Sequence, residues 1–221
     1  MSYKISLYIK LIGIAATISC FQTIAIAKTS VEIDNIAGVV PGSATKLNQQ
    51  QQFTPIAQNT SLKVEEYNRL AKQKYEKGDY QGALDDYNRA IQLDPNYAKA
   101  YASRGGLKIL GFKDYQGALV DLNRAIQLDP SSAQAYISRG GLKALTFQDY
   151  QGALADLNRA IQLEPNDIDA YNNRATLRYH YLKDRFGGIA DLQKVAKLVQ
   201  QRGNQKDAQR VMEIVKQWQL E

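Results

Sequence analysis

The sequence predicts an all-α fold, a solenoid of antiparallel helical hairpins. A 17-residue segment occurs three times at a spacing of 35 residues, as DYQGALDDYNRAIQLDP from Asp79, DYQGALVDLNRAIQLDP from Asp114 and DYQGALADLNRAIQLEP from Asp149. Within each copy the apolar residues recur at helical spacing and form one wide stripe. A second helical pattern lies between the copies. Because one such hairpin buries too little apolar surface to fold alone, the repeats are expected to stack into a continuous array.

The N-terminus has the three-part pattern of a secretory signal peptide. A Lys-bearing segment precedes an apolar run from Leu11 to Ile18, and the small residues Ala25 and Ala27 stand where signal peptidase requires them. We therefore expect residues 1–27 to be a signal peptide that is cleaved after Ala27. The mature protein would then work in the periplasm or another extracytoplasmic compartment.

Two alternatives remain open for this N-terminal segment. It could be kept as a membrane anchor, although Lys10 and Gln22 make it a poor span. Cys20 could instead carry a lipid, although Thr17 stands where bacterial lipoprotein signals usually have Leu, Val or Ile. Cys20 is the only cysteine, so the chain cannot form an internal disulfide, and cleavage after Ala27 would remove it.

Residues 28–61 are predicted to be a flexible low-complexity linker. They include the run NQQQQFTPIAQNTS and show no periodic apolar pattern. Such a segment buries too little apolar surface to offset its chain entropy.

Each repeat is predicted to contain two helices, which we call helix A and helix B. Helix B is the copied segment, and the proline that ends each copy stops it. Helix A corresponds to the intervening patterns AKAYASRGGLKIL, AQAYISRGGLKAL and IDAYNNRATLRYH. The predicted array therefore has full repeats at 62–96, 97–131 and 132–166, a degenerate repeat at 167–200, and a capping helix at 201–221.

The repeated residues resemble the tetratricopeptide repeat (TPR) family. Its pattern has a large aromatic residue that opens helix A, a small residue four positions later, Gly-Asp-Tyr at the turn, Ala-x-x-x-aromatic in helix B, and a terminal proline. The second and third repeats match in the same phase as the first, and the resemblance covers roughly residues 62–200. It implies a right-handed superhelix and, with the N-terminal signal, an exported bacterial type of TPR protein. The first repeat supplies Tyr67, Ala71, Gly78, Asp79, Tyr80, Ala83, Tyr87 and Pro95.

The sequence departs from the family pattern in three ways. Repeats two and three have 35 residues rather than the usual 34, with the extra residue between helices A and B. Arginine stands three residues after the opening tyrosine in repeats two to four, where the family usually has Leu, and we expect it to snorkel over apolar neighbours. The fourth repeat decays, since Arg185, Gly188 and Gln200 replace Tyr, Ala and Pro. Atypical terminal repeats and a closing helix are what an array needs to shield its last apolar face.

The resemblance implies that the A helices line a concave groove that holds extended peptide segments, with the B helices outside. Gly106 and Gly141 would leave shallow pockets there, at a cost of about 1 kcal/mol each relative to Ala in a helix. The groove candidates of repeat two are Lys99, Ala102, Ser103, Gly106, Ile109 and Leu110. Those of repeats three and four are Gln134, Ile137, Ser138, Gly141, Ala144, Leu145, Asp169, Asn172, Asn173, Thr176, Tyr179 and His180.

No set of residues points to catalysis, and we expect no enzyme activity, no cofactor and no metal. Asp86, Asp121, Asp156 and Asp191 occur once per repeat. They are therefore expected on a solvated face, or in ion pairs with the neighbouring repeat, rather than in one cleft. His180 is the only histidine, which leaves no histidine metal cluster and no histidine-activated nucleophile. The tyrosine that opens each helix A is expected to pack between hairpins, so no nucleic-acid partner is predicted.

Two functions follow from the sequence. The first is an exported, non-enzymatic interaction module or scaffold that binds a segment of another protein in the concave groove. The alternative is a structural envelope protein that assembles with copies of itself, or docks on a membrane, through its basic C-terminal end. Residues 171–221 hold ten Lys and Arg against five Asp and Glu, which favours an acidic partner or surface. If the protein is such an interaction module, we expect it to contact a membrane only if the N-terminal segment stays uncleaved.

Overall fold

The computed structural model describes the backbone of residues 54–220 and the side chains of residues 60–220. The predicted signal peptide, 1–27, and most of the predicted linker, 28–61, lie outside the described residues. Within the described part all regular secondary structure is helical, which confirms the all-α class. No helix in this part is long and apolar enough to cross a membrane.

Between residues 54 and 220, nine helices follow one another as four hairpins and a last helix. The A helices are α1 (Thr54–Glu76), α3 (Ala98–Leu107), α5 (Ala133–Leu142) and α7 (Ile168–Thr176). The B helices are α2 (Tyr80–Leu93), α4 (Tyr115–Leu128), α6 (Tyr150–Leu163) and α8 (Arg185–Gln201), and the last helix is α9 (Gln205–Leu220).

The first helix begins within the segment that was predicted to be linker. Helix α1 starts at Thr54 with Pro55 in its first turn, a position where proline is favourable because its missing N–H would be unpaired there anyway. The predicted repeat boundaries after residues 96, 131 and 166 all fall in turns between a B helix and the next A helix.

The core is built between repeats rather than within them. Ala118 and Leu122 of α4 are fully buried and pack with Leu142 of α5, so that the second hairpin is covered by the third. Leu157 of α6 packs in the same way with Leu177, which follows α7. Each hairpin thus completes the core of the one before it, as stacking predicts.

The extra residue of the later repeats forms a wider turn at the end of helix A. In the first repeat the carbonyl of Lys74 accepts from the N–H of Asp79 across five residues, with Gly78 at φ 80°. In the second repeat the carbonyl of Lys108 accepts from Asp114 across six residues. A π-helical turn, Lys108–Phe112, takes up the added residue. Equivalent turns occur at Lys143–Phe147 and Leu177–Tyr181.

Each B helix begins with an aspartate N-cap. The carboxylate accepts a 2.9 Å hydrogen bond from the N–H of the glycine three residues later, which satisfies one of the free donors of the first turn. A methyl group on that glycine would collide with the capping carboxylate, which explains why glycine recurs there. The four caps are Asp79, Asp114, Asp149 and Asp184.

Buried ion pairs tie the two helices of a repeat to each other and to the preceding repeat. Arg104 on α3 donates from Nε and Nη2 to the two oxygens of Asp121 on α4, at 2.9 and 2.6 Å. Its Nη1 donates to Oδ1 of Asn88 on α2 at 2.7 Å, and Nζ of Lys108 lies 2.9 Å from Asp121. The same set recurs with Arg139, Asp156 and Asn123, and with Arg174, Asp191 and Asn158.

These contacts correct two expectations. The arginines do not snorkel over apolar neighbours, because a nearly buried carboxylate such as Asp121, 2% exposed, requires a paired and hydrogen-bonded cation. The aspartates do not lie on a solvated face; they pair within their own repeat, and the neighbouring repeat supplies only the asparagine. Each arginine also lies over the ring of the tyrosine that opens its helix, at 5.4–5.6 Å from the ring centroid.

Helix α9 closes the array by packing against α8 and the end of the fourth A helix. Trp218, 9% exposed, packs with Val215 and Leu192. Its ring stacks on Tyr179 with the two ring centroids 3.9 Å apart. The predicted capping helix therefore has an apolar face that shields the last hairpin.

Two residues of the fourth repeat that depart from the family pattern help to close the array. Arg185 donates from Nε to the carbonyl of Trp218 at 2.8 Å, and Nη2 donates to the same oxygen, so it caps the last turn of α9. A methyl group at Gly188 would lie 3.0 Å from the carbonyl oxygen of Ala175 and 3.0 Å from Cβ of Tyr179. Glycine there lets α8 approach the backbone at Ala175 and Tyr179 closely.

Candidate functional site

The predicted groove residues lie on helices α3, α5 and α7 and on the wider turns that follow them. Neighbouring A helices contact each other more extensively than neighbouring B helices do. The more closely spaced layer of a curved array lies on its inner side, so this geometry favours the A helices as the concave face.

Some of the polar groove candidates already form side-chain hydrogen bonds within the chain. Nε2 of Gln134 donates to Oγ of Ser138 at 3.3 Å, one turn along the exposed side of α5. Ser103 shares a hydrogen bond with the hydroxyl of Tyr87. Burial raises the pKa of that tyrosine to about 12, and the bond to Ser103 offsets part of the rise. Lys99 is exposed, while Ala102, Asn172, Asn173 and Thr176 are half-buried.

The glycine pairs of α3 and α5 each contain two different kinds of glycine. A methyl group at Gly105 would lie 3.0 Å from Cγ of Leu122 and 3.3 Å from the carbonyl oxygen of Ala118, so close helix packing requires this glycine. A methyl group at Gly106 would meet nothing within 4 Å, and the same holds at Gly141. No packing within the described residues requires the second glycine of each pair.

Two apolar side chains are exposed one turn beyond these open glycines. Leu110 is 41% exposed and Leu145 is 70% exposed, at equivalent positions of repeats two and three. Small residues followed by an exposed leucine therefore recur on successive A helices.

Four apolar residues that were predicted to line the groove are covered by other parts of the chain. Ile137 is 3% exposed and packs with Ala160 and Ala170, because it points between repeats three and four rather than into the groove. Ile109 packs against the core around Leu122, Ala144 is buried, and Tyr179 is covered by Trp218.

Asp169 has an unusual environment for a groove residue. It lies in the first turn of α7, and burial raises the pKa of its carboxyl to about 6. The nearby charge of Asp167 adds to the rise, and Arg202 offsets part of it. Its sequence position alone gave no sign of this burial.

The groups exposed on this face are of kinds that can contact another chain. Among the described residues, no group of three or more His, Cys, Asp or Glu side chains could hold a metal ion. What α3 and α5 present is hydrogen-bonding amides and hydroxyls, open glycines and two exposed leucines. Such a surface suits the backbone and apolar side chains of another chain.

Comparison with known proteins supports the repeat assignment. Residues 71–107 match the family model described as TPR repeat. No curated protein sequence matches the chain significantly.

Several solved structures share its fold. The first TPR of Spaghetti (RPAP3), bound to the HSP90 peptide SRMEEVD, is 26% identical with a TM-score of 0.51; the match covers 54% of this chain and 93% of that one. The Arabidopsis OM64 TPR domain is also 26% identical with a TM-score of 0.51, over 55% of this chain and 98% of that one. MamA protein shares the fold at 21% identity and a TM-score of 0.51, over 71% and 91% of the two chains.

The stacked hairpins carry the residues of the repeat pattern in register, part of the first two repeats matches the family model, and the solved neighbours have the same fold. Residues 71–107 of this chain therefore match the tetratricopeptide repeat family, and its helical array has the fold of tetratricopeptide repeat proteins.

Proposed function

We propose that this protein is an exported, non-enzymatic interaction module that binds an extended segment of another protein along the face formed by α3, α5 and α7. The observation that carries the proposal is the open space beside Gly106 and Gly141, next to the exposed side chains of Leu110 and Leu145. A glycine inside a helix destabilises it by about 1 kcal/mol relative to Ala. Since packing does not require these two, close approach of a partner backbone is the role that we assign to them.

The comparison with solved TPR structures supports the same kind of ligand. The first TPR of RPAP3, 26% identical to this chain, is bound to a short peptide. A peptide held there in this chain would meet few charges, because the groove candidates of α3 and α5 are mostly Ala, Ser, Gln and Leu, with Lys99 as the one charged residue among them. We therefore propose a largely uncharged segment with apolar side chains as the occupant.

Site-specific crosslinking in the producing cell tests this assignment. A photoreactive residue at Leu145 is expected to capture a partner, and Ser138→Arg together with Gly141→Arg should abolish the capture by filling the face. Val120 offers a matched control, since it is 67% exposed on the B helix α4 and a crosslinker there should stay silent.

The binding surface would lie elsewhere if crosslinkers at Leu145 and Val120 captured the partner equally. The same would follow if capture survived the arginine substitutions. Circular dichroism of the arginine variant checks that the helical array remains folded. Its two substituted side chains face open or half-exposed positions, so the fold should tolerate them.

A further inference from the structure

A groove with a volume of about 710 Å³ lies between α8 and α9. Its floor includes Ala196 of α8 and Ala208 of α9, which are 5% and 7% exposed. Met212 lines it and is 38% exposed. On the rim, Glu213 and Lys216 are exposed on the same helix, about one turn apart.

The groove lies where the array has an uncovered contact surface. Helix α9 packs on α8 more extensively than the A helices pack on the B helices before them, but no described helix packs extensively on the far side of α9. Gln193 on the groove wall occupies the position of Asn88, Asn123 and Asn158, 35 residues apart. Those asparagines accept a hydrogen bond from the arginine of the following repeat. The groove therefore continues the surface through which repeats contact one another.

We infer that this groove binds a second copy of the chain, with the two α9 helices packed antiparallel about a two-fold axis. An axis that passes between Glu213 and Lys216 places Glu213 of each copy opposite Lys216 of the other. A two-fold interface must be complementary to itself, and one acid and one base about a turn apart on a groove-facing surface meet that condition. Leu220, 88% exposed, lies on the same face by helical periodicity and would be covered as well.

The chemistry of the groove favours a copy of α9 over an extended segment or a strongly charged partner. Its walls are two helices with small residues at the floor, which admit a third helix at close approach. Its rim carries amides together with Lys197, Glu213 and Lys216, so charges of both signs are present. Stable dimers bury about 800 Å² per partner. One helix of 16 residues from each copy offers a smaller contact than that, so we expect a dimer that depends on protein concentration.

Charge reversal in the full-length protein tests the pairing. Wild type is expected to dimerise as its concentration rises in sedimentation equilibrium. Glu213→Lys and Lys216→Glu, each alone, should raise the dissociation constant of the homodimer at least tenfold, because like charges then face each other. An equimolar mixture of the two variants should recover dimers, since both pairs are again opposite in sign.

A matched control is Lys63→Glu, an exposed lysine on α1 at the other end of the array, which should leave dimerisation unchanged. Emission of Trp218 reports whether α9 stays packed in each variant. Any of three outcomes would overturn the proposal. Wild type could be monomeric at every concentration, both single variants could still form dimers, or a folded mixture of the two variants could fail to dimerise. The first outcome would be the one expected if another protein occupied the groove.

Discussion

At the scale of single residues, the two glycines of each pair in α3 and α5 are expected to respond oppositely to a methyl group. Gly106→Ala or Gly141→Ala should raise the free energy of unfolding by about 0.5–1 kcal/mol, because the methyl enters open space and the helix gains a better helix former. Gly105→Ala or Gly140→Ala should lower it by about 1–3 kcal/mol, because the methyl would come within 3.3 Å of a leucine and a backbone oxygen. Urea unfolding followed by far-UV circular dichroism measures both. The same sign at all four positions would contradict this packing.

Asp169 should make stability depend on pH in a defined direction. Because the pKa is raised in the folded state to about 6, the folded protein binds the proton more tightly than the unfolded chain. The contribution of protonated Asp169 to the free energy of unfolding is therefore lost as pH rises from about 4 to 6, and it does not return above pH 6. Asp169→Asn should raise the free energy of unfolding by about 1–2 kcal/mol at pH 8, after allowance for solvent screening, and by almost nothing near pH 4.

Unfolding curves of wild type and variant at several pH values test this expectation. Asp85→Asn, at an exposed acid on the B helix α2, serves as the control. A gain for Asp169→Asn that does not change with pH would show that the carboxyl is not the cause.

At the scale of helices, the closing element depends on its last turn. Arg185→Ala removes both guanidinium donors to the carbonyl of Trp218 and leaves only the 3.3 Å hydrogen bond from the hydroxyl of Tyr179, so the end of α9 should fray and stability should fall by about 1–3 kcal/mol. Trp218 is the only tryptophan, and its emission should shift to longer wavelength as water reaches the ring. Arg159→Ala, an exposed arginine on α6, should leave the emission unchanged. Unaltered emission in the Arg185 variant would mean that the stacking on Tyr179 and the packing against Leu192 hold the helix without the arginine.

At the scale of the whole molecule, the proposal of export makes a prediction about the mature chain. Protein recovered from the cell envelope should begin at Lys28, because signal peptidase requires small residues such as Ala25 and Ala27 before its cut. Intact mass measurement decides this, and Ala27→Arg should block the processing. A mass that retains Met1 would indicate an anchor, and a lipid-bearing chain that begins at Cys20 would indicate a lipoprotein.

Much of the fold was predictable because its signals are local. The 35-residue spacing, the helical stripes and the prolines located the hairpins, and the predicted boundaries after residues 96, 131 and 166 fall in turns, whereas those at 62 and 200 fall inside α1 and α8. The recurring pairs of arginine and aspartate were not predicted, although they have a sequence signal. An arginine and an aspartate 17 residues apart recur in repeats two to four. Each residue by itself suggests a different role, the arginine a snorkelling cation and the aspartate a surface acid or a partner of the neighbouring repeat. Their pairing needs the two helices to be brought face to face.

The candidate site was predicted less completely than the fold. Helical periodicity cannot say which of the neighbours Ile137 and Ser138 other helices cover. That depends on the size of side chains on α6 and α7, which bury Ile137 against Ala160 and Ala170. The same limit applies to Tyr179, whose exposure is decided by Trp218, 39 residues later in the chain.

By itself, the sequence determined that this chain is an array of helical hairpins, where the turns between successive repeats fall, and which family it resembles. It could do so because in a solenoid each repeat contacts only its neighbours, so a one-dimensional pattern contains most of the architecture. Only the tertiary structure decided which A-helix residues remain exposed, which charges are buried as pairs, and why the fourth repeat departs from the pattern. Those properties depend on contacts between side chains of different helices, and small residues such as Gly106 and Gly188 show their purpose only beside the space or the neighbour that surrounds them.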